Sequence, residues 1–352
     1  MTKPILEVKD LYKYFPVAHS MMDKILRRPH LEVKALDGVS FSVGKAEIVA
    51  LVGESGSGKT TLSLNILGLQ SPTRGEAFFN DLPLGKWAVG KLDQKDRRRI
   101  GVKSRRSQTL AFRRRAQMIF QDPYESLNPR QSIWEIMAEP LEIHFPGIRE
   151  DVKERKVRSA LEDCGLTPAE HFWDRYPDEL SGGQRQRVVI ASALVLEPDL
   201  LLADEPVSML DVSIRADILT LLRTIRDVRG VTILYTTHDL ATAGYFTDRM
   251  IVMYLGRIVE EGPTIEVLTS PKHPYTQALV SVAPAPNPRK RKQRVILKGE
   301  LPNAVQIPSG CRFHPRCPIA QERCKQEDPS LTDAGPNRRV ACLFAEGIKR
   351  NE

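Results

Sequence analysis

The run Gly53, Glu54, Ser55, Gly56, Ser57, Gly58, Lys59, Thr60, followed by Thr61, has the residue types and spacing to hold phosphate. Glycines there let successive backbone N–H groups curl around phosphate oxygens. Lys59 brings a point charge to the β- and γ-phosphates of a nucleotide, and Thr60 a hydroxyl to Mg²⁺. A glycine-rich turn with an exposed lysine is the bland alternative. It does not explain a second element, LLLADE at residues 200–205. A carboxylate ending a buried strand suits Mg²⁺, the role expected of Asp204. Glu205 is then placed to orient or deprotonate a water that attacks the γ-phosphate. Between the two lies Leu180, Ser181, Gly182, Gly183, Gln184. Ser181 and the amides after it form a second anion site at a helix N-terminus; a turn that merely caps the helix is the alternative.

The elements that must position these residues follow from periodicity. Residues 47–52 are a short apolar run and residues 61–69 a helical pattern, so the phosphate loop sits between strand and helix. Residues 200–203 and 231–235 are continuous apolar runs, as strands buried on both faces would be. Val157, Ala160, Leu161 and Cys164 fall at i, i+3, i+4 and i+7, one face of a helix, and Cys164 is expected in the core. Strands alternating with helices predict an α/β fold with a mostly parallel sheet. Residues 283–288, APAPNP, read as a linker.

The chain has 352 residues, room for two domains of ordinary size. Its 41% hydrophobic and 27% charged residues exclude collagen-like and wholly disordered classes. The apolar run 188–196 is about half of what a bilayer requires, and no window reads as a membrane span. Residues 1–10 carry charges of both signs and no apolar segment, so no secretory signal is expected. The net charge of +8 is local. Residues 86–117 hold twelve Lys or Arg and two Asp, +10 together, which leaves about −2 for the rest. A shorter basic run follows at 289–294. The expected role of 86–117 is a solvated insertion with a helix face; contact with anionic headgroups or an acidic partner face is the sharper alternative.

Four of the five cysteines, Cys311, Cys317, Cys324 and Cys342, lie in the last 42 residues, spaced C-x₅-C-x₆-C-x₁₇-C. Without a signal peptide, such a cluster reads as metal or redox chemistry before disulfides. Four thiolates suit tetrahedral Zn²⁺ or an iron–sulfur cluster. His314 is expected to face solvent. A tail this short and aperiodic needs a staple to stay folded.

Taken together, the motifs resemble those of ABC ATPases. LSGGQ is similar to the family's signature. Gln121, in Phe120, Gln121, Asp122, Pro123, resembles the Q-loop glutamine. Ser208 to Asp211 resembles the D-loop, with Met209 where alanine is commoner, and His238 resembles the switch histidine. Phe15, or else Tyr14, resembles the aromatic that stacks on adenine. Seven motifs stand in family order across residues 1–270. PKHPYTQAL at 271–279 and GCRFHPRCP at 310–318 resemble the C-terminal region of ATPases that serve oligopeptide, dipeptide and nickel importers.

The resemblance implies an ABC ATPase domain over 1–270: a parallel core sheet with the phosphate loop, an antiparallel β subdomain, and a helical subdomain at about 122–180. An HPY segment with the linker at 271–294 and a Cys-rich extension at 295–352 follow. It implies catalytic roles for Glu205, His238 and Gln121, and Mg²⁺ held by Thr60, Gln121 and Asp204. Residues 181–184 would act across a head-to-tail dimer on the partner's ATP, and Asp211 is the implied D-loop residue. A 4Fe–4S cluster is implied on the four tail cysteines, with zinc as the alternative. The implied partners are a second ATPase subunit, commonly a paralogue, two permease subunits, and through them a solute-binding protein. The implied place is the cytoplasmic face of the inner membrane, as a peripheral subunit. Nucleic acid is not expected as a partner, because neither tandem ATPase domains nor a long coiled-coil insertion is present. A metal-bearing binding module without turnover would not need Lys59, Asp204, Glu205 and His238 together.

Overall fold

The computed structural model describes residues 3–17, 31–282 and 304–345. The linker at 283–288 and the basic run 289–294 lie outside the described residues. In chain order the strands are β1 (Leu6–Pro16), β2 (Glu32–Val43), β3 (Ile48–Val52), β4 (Arg74–Phe79), β5 (Leu82–Pro83) and β6 (Ala116–Ile119). They continue with β7 (Leu200–Asp204), β8 (Thr232–Thr237), β9 (Arg249–Tyr254), β10 (Arg257–Pro263), β11 (Thr332–Asp333) and β12 (Arg339–Val340). The chain forms two compact units. One is built from the described residues of Met1–Ile5, Val43–Ile48 and Phe79–Thr236; the other from those of Leu6–Ser42, Val49–Phe78 and Thr237–Glu352.

In the first unit β6, β7 and β8 run parallel, with Ile119 level with Ala203 and Asp204 level with Thr236. Every residue of β7 and β8 is buried, which is why these strands read as unbroken apolar runs. Around them lie the helices Ile133–His144, Glu150–Asp163, Gly182–Leu194 and Val212–Arg229. Their ends obey local chemistry. Ser132 and Glu135 form a reciprocal capping box. Gly230, at φ 66°, closes Val212–Arg229 in the left-handed conformation that glycine adopts without strain. Helix Glu150–Asp163 buries Val157, Ala160 and Leu161, and Cys164 just beyond it is fully enclosed. Burial in that apolar face pushes the Cys164 thiol pKa up and keeps it a neutral core residue.

The basic segment forms the helices Leu84–Trp87, Gln94–Arg99 and Arg105–Arg115. Phe112 packs 5.4 Å from Trp87 and 6.1 Å from Phe79, ring centre to ring centre. Gln108 is enclosed and accepts the Leu92 N–H. Arg115 pairs with Asp199, and Arg105 donates to the Val89 carbonyl. Arg98, Arg106, Arg113 and Arg114 stay exposed. Helices Leu84–Trp87 and Arg105–Arg115 are anchored by buried residues, whereas Gln94–Arg99, with Arg97–Arg99, buries none.

In the second unit β2, β1 and β4 lie side by side in that order. β3 runs parallel to β9, β9 pairs antiparallel with β10, and β10 antiparallel with β12. The sheet is therefore mixed, where apolar runs alone had suggested a mostly parallel one. The reversal is a tight β9–β10 hairpin through Leu255, at φ 43°, and Gly256, at φ 77°. Positive φ at both central residues gives the turn the twist that the paired strands require. Residues 304–345 are part of this unit, since Val340 of β12 pairs with Glu260 of β10. Among the described residues no helix is long and apolar enough to cross a membrane.

Candidate functional site

The phosphate loop leaves the carboxyl end of β3 and enters the helix Lys59–Ile66. Its glycines are required by space as well as by φ. A Cβ on Gly53 would come 2.3 Å from the Met253 carbonyl oxygen. One on Gly58, at φ 105°, would come 2.4 Å from that of Ala35. Ser55, Gly56 and Thr60 are exposed, and Thr61 is half-buried at the loop's helical end. Lys59 is only 6% exposed, and its Nζ donates to the carbonyls of Gly53 at 2.8 Å and Glu54 at 3.1 Å. Ser57 is buried at 2% exposure, with a hydroxyl that has no hydrogen-bond partner among the described residues. An unsatisfied buried hydroxyl beside a curled backbone suits an anion acceptor. The helix carries no acidic residue in its first turn to oppose one.

In the same unit, Tyr14 and Phe15 end β1. The Tyr14 hydroxyl donates to Asp37, and its pKa is pushed up to about 12, first by burial and then by that carboxylate. Burial alone would raise Asp37, but Tyr14 and Arg312 hold it below its usual value. Tyr14 is thus committed to Asp37, whereas the half-buried Phe15 ring meets Lys13 Nζ at 4.9 Å from its centre. His238 follows Thr237, the last residue of β8, and is exposed. Asp239 caps the next helix by accepting from the amides of Ala241 and Thr242.

In the first unit, Asp204 ends β7 at 7% exposure and accepts the Thr236 hydroxyl on Oδ1. Glu205 follows with φ 46°, a strained value for a side chain of its size. Its N–H donates to the Thr236 carbonyl at 3.1 Å. Gln121 lies two residues past β6 and is exposed. Because β6 and β7 are parallel, Gln121 and Asp204 emerge at the same carboxyl edge, where open α/β sheets hold ligands. Ser208, Met209 and Asp211 form the turn before helix Val212–Arg229. Arg215 supports that turn by donating to the Leu210 and Ser208 carbonyls. Met209 and Asp211 are exposed.

Ser181 is the N-cap of helix Gly182–Leu194 and forms a capping box with Gln184. Within the chain these residues therefore do cap the helix. The Ser181 hydroxyl accepts there and keeps its proton to donate. A Cβ on Gly183 would meet Ile214 at 2.9 Å, so that position must be small.

In the tail, the four thiols share one electrostatic neighbourhood. Cys311 and Cys317 are pushed up to about 11, first by burial and, to a smaller extent, by neighbouring tail cysteines. The Cys311 N–H donates to the Cys324 carbonyl at 2.8 Å. Among the described residues, no three His, Cys, Asp or Glu are arranged to hold a metal ion. His314 is half-buried, its Nδ1 2.9 Å from the Cys311 carbonyl oxygen, rather than facing solvent.

Sequence reasoning assigned no role to His273, Tyr275, Arg312, Arg316 or Asp37. All five are at least nine-tenths buried, and Tyr275 accepts the Glu54 N–H on its hydroxyl at 2.8 Å. The signal was available in part. A tyrosine inside an apolar helix needs a partner for its hydroxyl when buried.

The residues match the ABC transporter family over 36–208, and the oligopeptide/dipeptide transporter C-terminal region over 259–324. The dipeptide transport ATP-binding protein of Haemophilus influenzae is 41% identical over 344 residues, 97% of each chain. This chain belongs to the ABC transporter ATP-binding proteins. The oligopeptide transport ATP-binding protein of Bacillus subtilis is 41% identical over 341 residues, 96% of each chain. Among solved structures, the dimeric ATP-binding cassette MJ0796 bound to ADP and Pi is 27% identical, with TM-score 0.58, covering 74% of this chain and 98% of that one. Clostridium perfringens cbiO1, part of an ABC transporter complex, is 27% identical with TM-score 0.60, covering 76% of this chain and 92% of that one. The fold is the ABC ATPase nucleotide-binding fold with a mixed sheet, and the subunit hydrolyses ATP for a membrane transporter.

Proposed function

We propose that this ATP-binding subunit powers the import of peptides, pairing with a second, paralogous ATPase subunit beneath two permease subunits. A solute-binding protein would deliver cargo to the permeases, and the subunit would sit peripherally on the cytoplasmic face of the inner membrane. The observation that carries this reading is the enclosed Lys59 inside a loop where Gly53 and Gly58 leave no room for a Cβ, in a chain that also bears the oligopeptide-type C-terminal region.

Phe15 stacks on adenine, and residues 53–60 wrap the phosphates with their amides, Lys59 adding charge to the β- and γ-phosphates. Thr60, Gln121 and Asp204 are the oxygen donors for Mg²⁺, a hard cation that suits them and that neutralises phosphate charge when bound. Glu205 takes the proton of the attacking water, and His238 senses the γ-phosphate. Residues 181–184 act on the nucleotide of the paired subunit, so the isolated chain hydrolyses ATP poorly. For the tail we propose a 4Fe–4S cluster on Cys311, Cys317, Cys324 and Cys342. Four thiolates are the donor set such a cluster takes, with zinc as the alternative, and binding either would require the thiols to lose their protons.

The test is purification from membranes with identification of co-purifying chains, then peptide-stimulated ATP hydrolysis by the assembly. Lys59→Ala should abolish nucleotide binding, and a preparation that retains peptide-stimulated turnover without Lys59 would reject the assignment. Anaerobic purification with metal analysis tests the cluster. Iron and sulfide near four per chain are expected, and a chain that folds with neither iron nor sulfide rejects it.

A further inference from the structure

Between Cys311 and Cys317 the chain reads CRFHPRC, and both arginines leave the tail for the nucleotide-binding end of the second unit. The Arg316 guanidinium forks onto the Glu54 carboxylate, Nη1 to Oε2 at 2.9 Å and Nη2 to Oε1 at 3.2 Å. The Arg316 side chain is only 10% exposed. Glu54 is the second residue of the phosphate loop, and its remaining polar groups are also held. Its N–H donates to the Tyr275 hydroxyl, and its carbonyl accepts from Lys59 Nζ at 3.1 Å. Phe313 fixes the spacing, packing 5.3 Å from Tyr254, 5.5 Å from Tyr275 and 5.6 Å from His273. Arg312 donates to the Leu255 carbonyl at 2.5 Å and to Asp37, which also holds the Tyr14 hydroxyl next to Phe15.

We infer that residues 311–317 are a clamp that positions the phosphate loop for nucleotide, with Arg316 as its positioning residue acting through Glu54. A bidentate, charge-assisted pair fixes a backbone more tightly than a single hydrogen bond. Glu54 orients the backbone that also carries the resting contacts of Lys59. Loss of the fork frees the loop to sample conformations that cannot bind, and the apparent affinity falls by the fraction that remains competent.

The inference rests on residues 53–60 being the nucleotide loop, and the experiment separates the two. Binding of a fluorescent ATP analogue with Mg²⁺ is measured on the full chain for the parent, Lys59→Ala, Arg316→Met, Arg316→Lys, Glu54→Gln and the double variant Glu54→Gln/Arg316→Met. Arg316→Met should raise Kd about five- to tenfold, the worth of one such pair. Arg316→Lys, which keeps the charge but not the fork, should recover part of the affinity. The double variant should bind no worse than Arg316→Met, because both changes break one link. Glu54→Gln still offers the buried arginine an amide oxygen, and stands in if Arg316→Met does not fold. If Lys59→Ala loses binding while Arg316→Met and Glu54→Gln stay within twofold of the parent, the pair merely docks the tail and the clamp is rejected. A parent chain that does not bind the analogue sinks both readings.

Discussion

The Thr236 hydroxyl donates to Oδ1 of Asp204, across a register pair of β7 and β8. One carboxylate oxygen is thereby held, and the side chain cannot rotate freely at the strand's end. If Asp204 holds Mg²⁺ as proposed, Thr236 stands behind a metal ligand, and such groups typically change metal affinity by about 10–100-fold when removed. Thr236→Val should raise the Mg²⁺ concentration for half-maximal ATP turnover by about tenfold, at the low end of that range. Thr236→Ser should restore it. A Mg²⁺ titration of the assembled transporter that is identical for Val and the parent would show that Asp204 needs no orienting partner.

Glu205 sits at φ 46° with its amide tied to the Thr236 carbonyl, so the backbone fixes the direction in which its side chain leaves the chain. Glu205→Gln should lower turnover by about 10²–10⁴ if the carboxylate is the general base. Nucleotide binding should persist and a nucleotide-bound dimer should accumulate, visible by size. Near-parental turnover would remove Glu205 from that role.

His273 is neutral in the fold. Its Nδ1 accepts the Tyr275 N–H at 3.0 Å, and burial pushes its pKa down to about 3. In the unfolded chain it titrates near its ordinary value of about 6.5. Between those two values the unfolded state takes a proton that the folded state refuses, so stability falls as pH falls. From pH 7 to pH 5 this costs about 2 kcal/mol. Urea midpoints of the full chain at both pH values should show that loss, and His273→Asn, which keeps an acceptor but not the titration, should reduce it. Equal pH slopes in the two chains would contradict the assignment.

Arg338 donates to Glu260 at 2.5 Å, and the two side chains are 5% and 0% exposed. Glu260 also takes the amides of Lys272 and His273, so it holds the tail, β10 and the helix Pro274–Val282 together. Arg338→Met leaves a buried carboxylate without its cation and should cost about 3–5 kcal/mol. Glu260→Gln/Arg338→Met should recover more than half of that, because no lone charge is then buried. Thermal and urea unfolding of the three chains decide it, and a fully stable Arg338→Met would mean that the amides alone satisfy Glu260.

What could be read along the chain was whatever short windows encode. The phosphate loop is a run of consecutive residues, and its glycines answer to steric limits that any chain meets. Ser181 with Gln184, and Val157 with Ala160 and Leu161, are spacings within one or two helical turns. The twelve basic residues of 86–117 were countable. That Phe112 and Gln108 would anchor them was not legible, because aromatic packing with Phe79 and Trp87 depends on where distant backbone arrives.

By itself the sequence determined the phosphate loop, the Asp204–Glu205 strand end, the signature cap and the presence of four tail cysteines, since each needs only local backbone geometry and residue type. The tertiary structure decided the rest. It turned Glu54 from an ordinary loop position into the partner of Arg316, 262 residues away. It joined Asp37 to both Tyr14 and Arg312 and sealed Glu260 against Arg338. It made the tail part of the second unit rather than a separate piece. An ion pair acquires its worth from burial, and burial at long range belongs to the folded chain, not to any stretch of it.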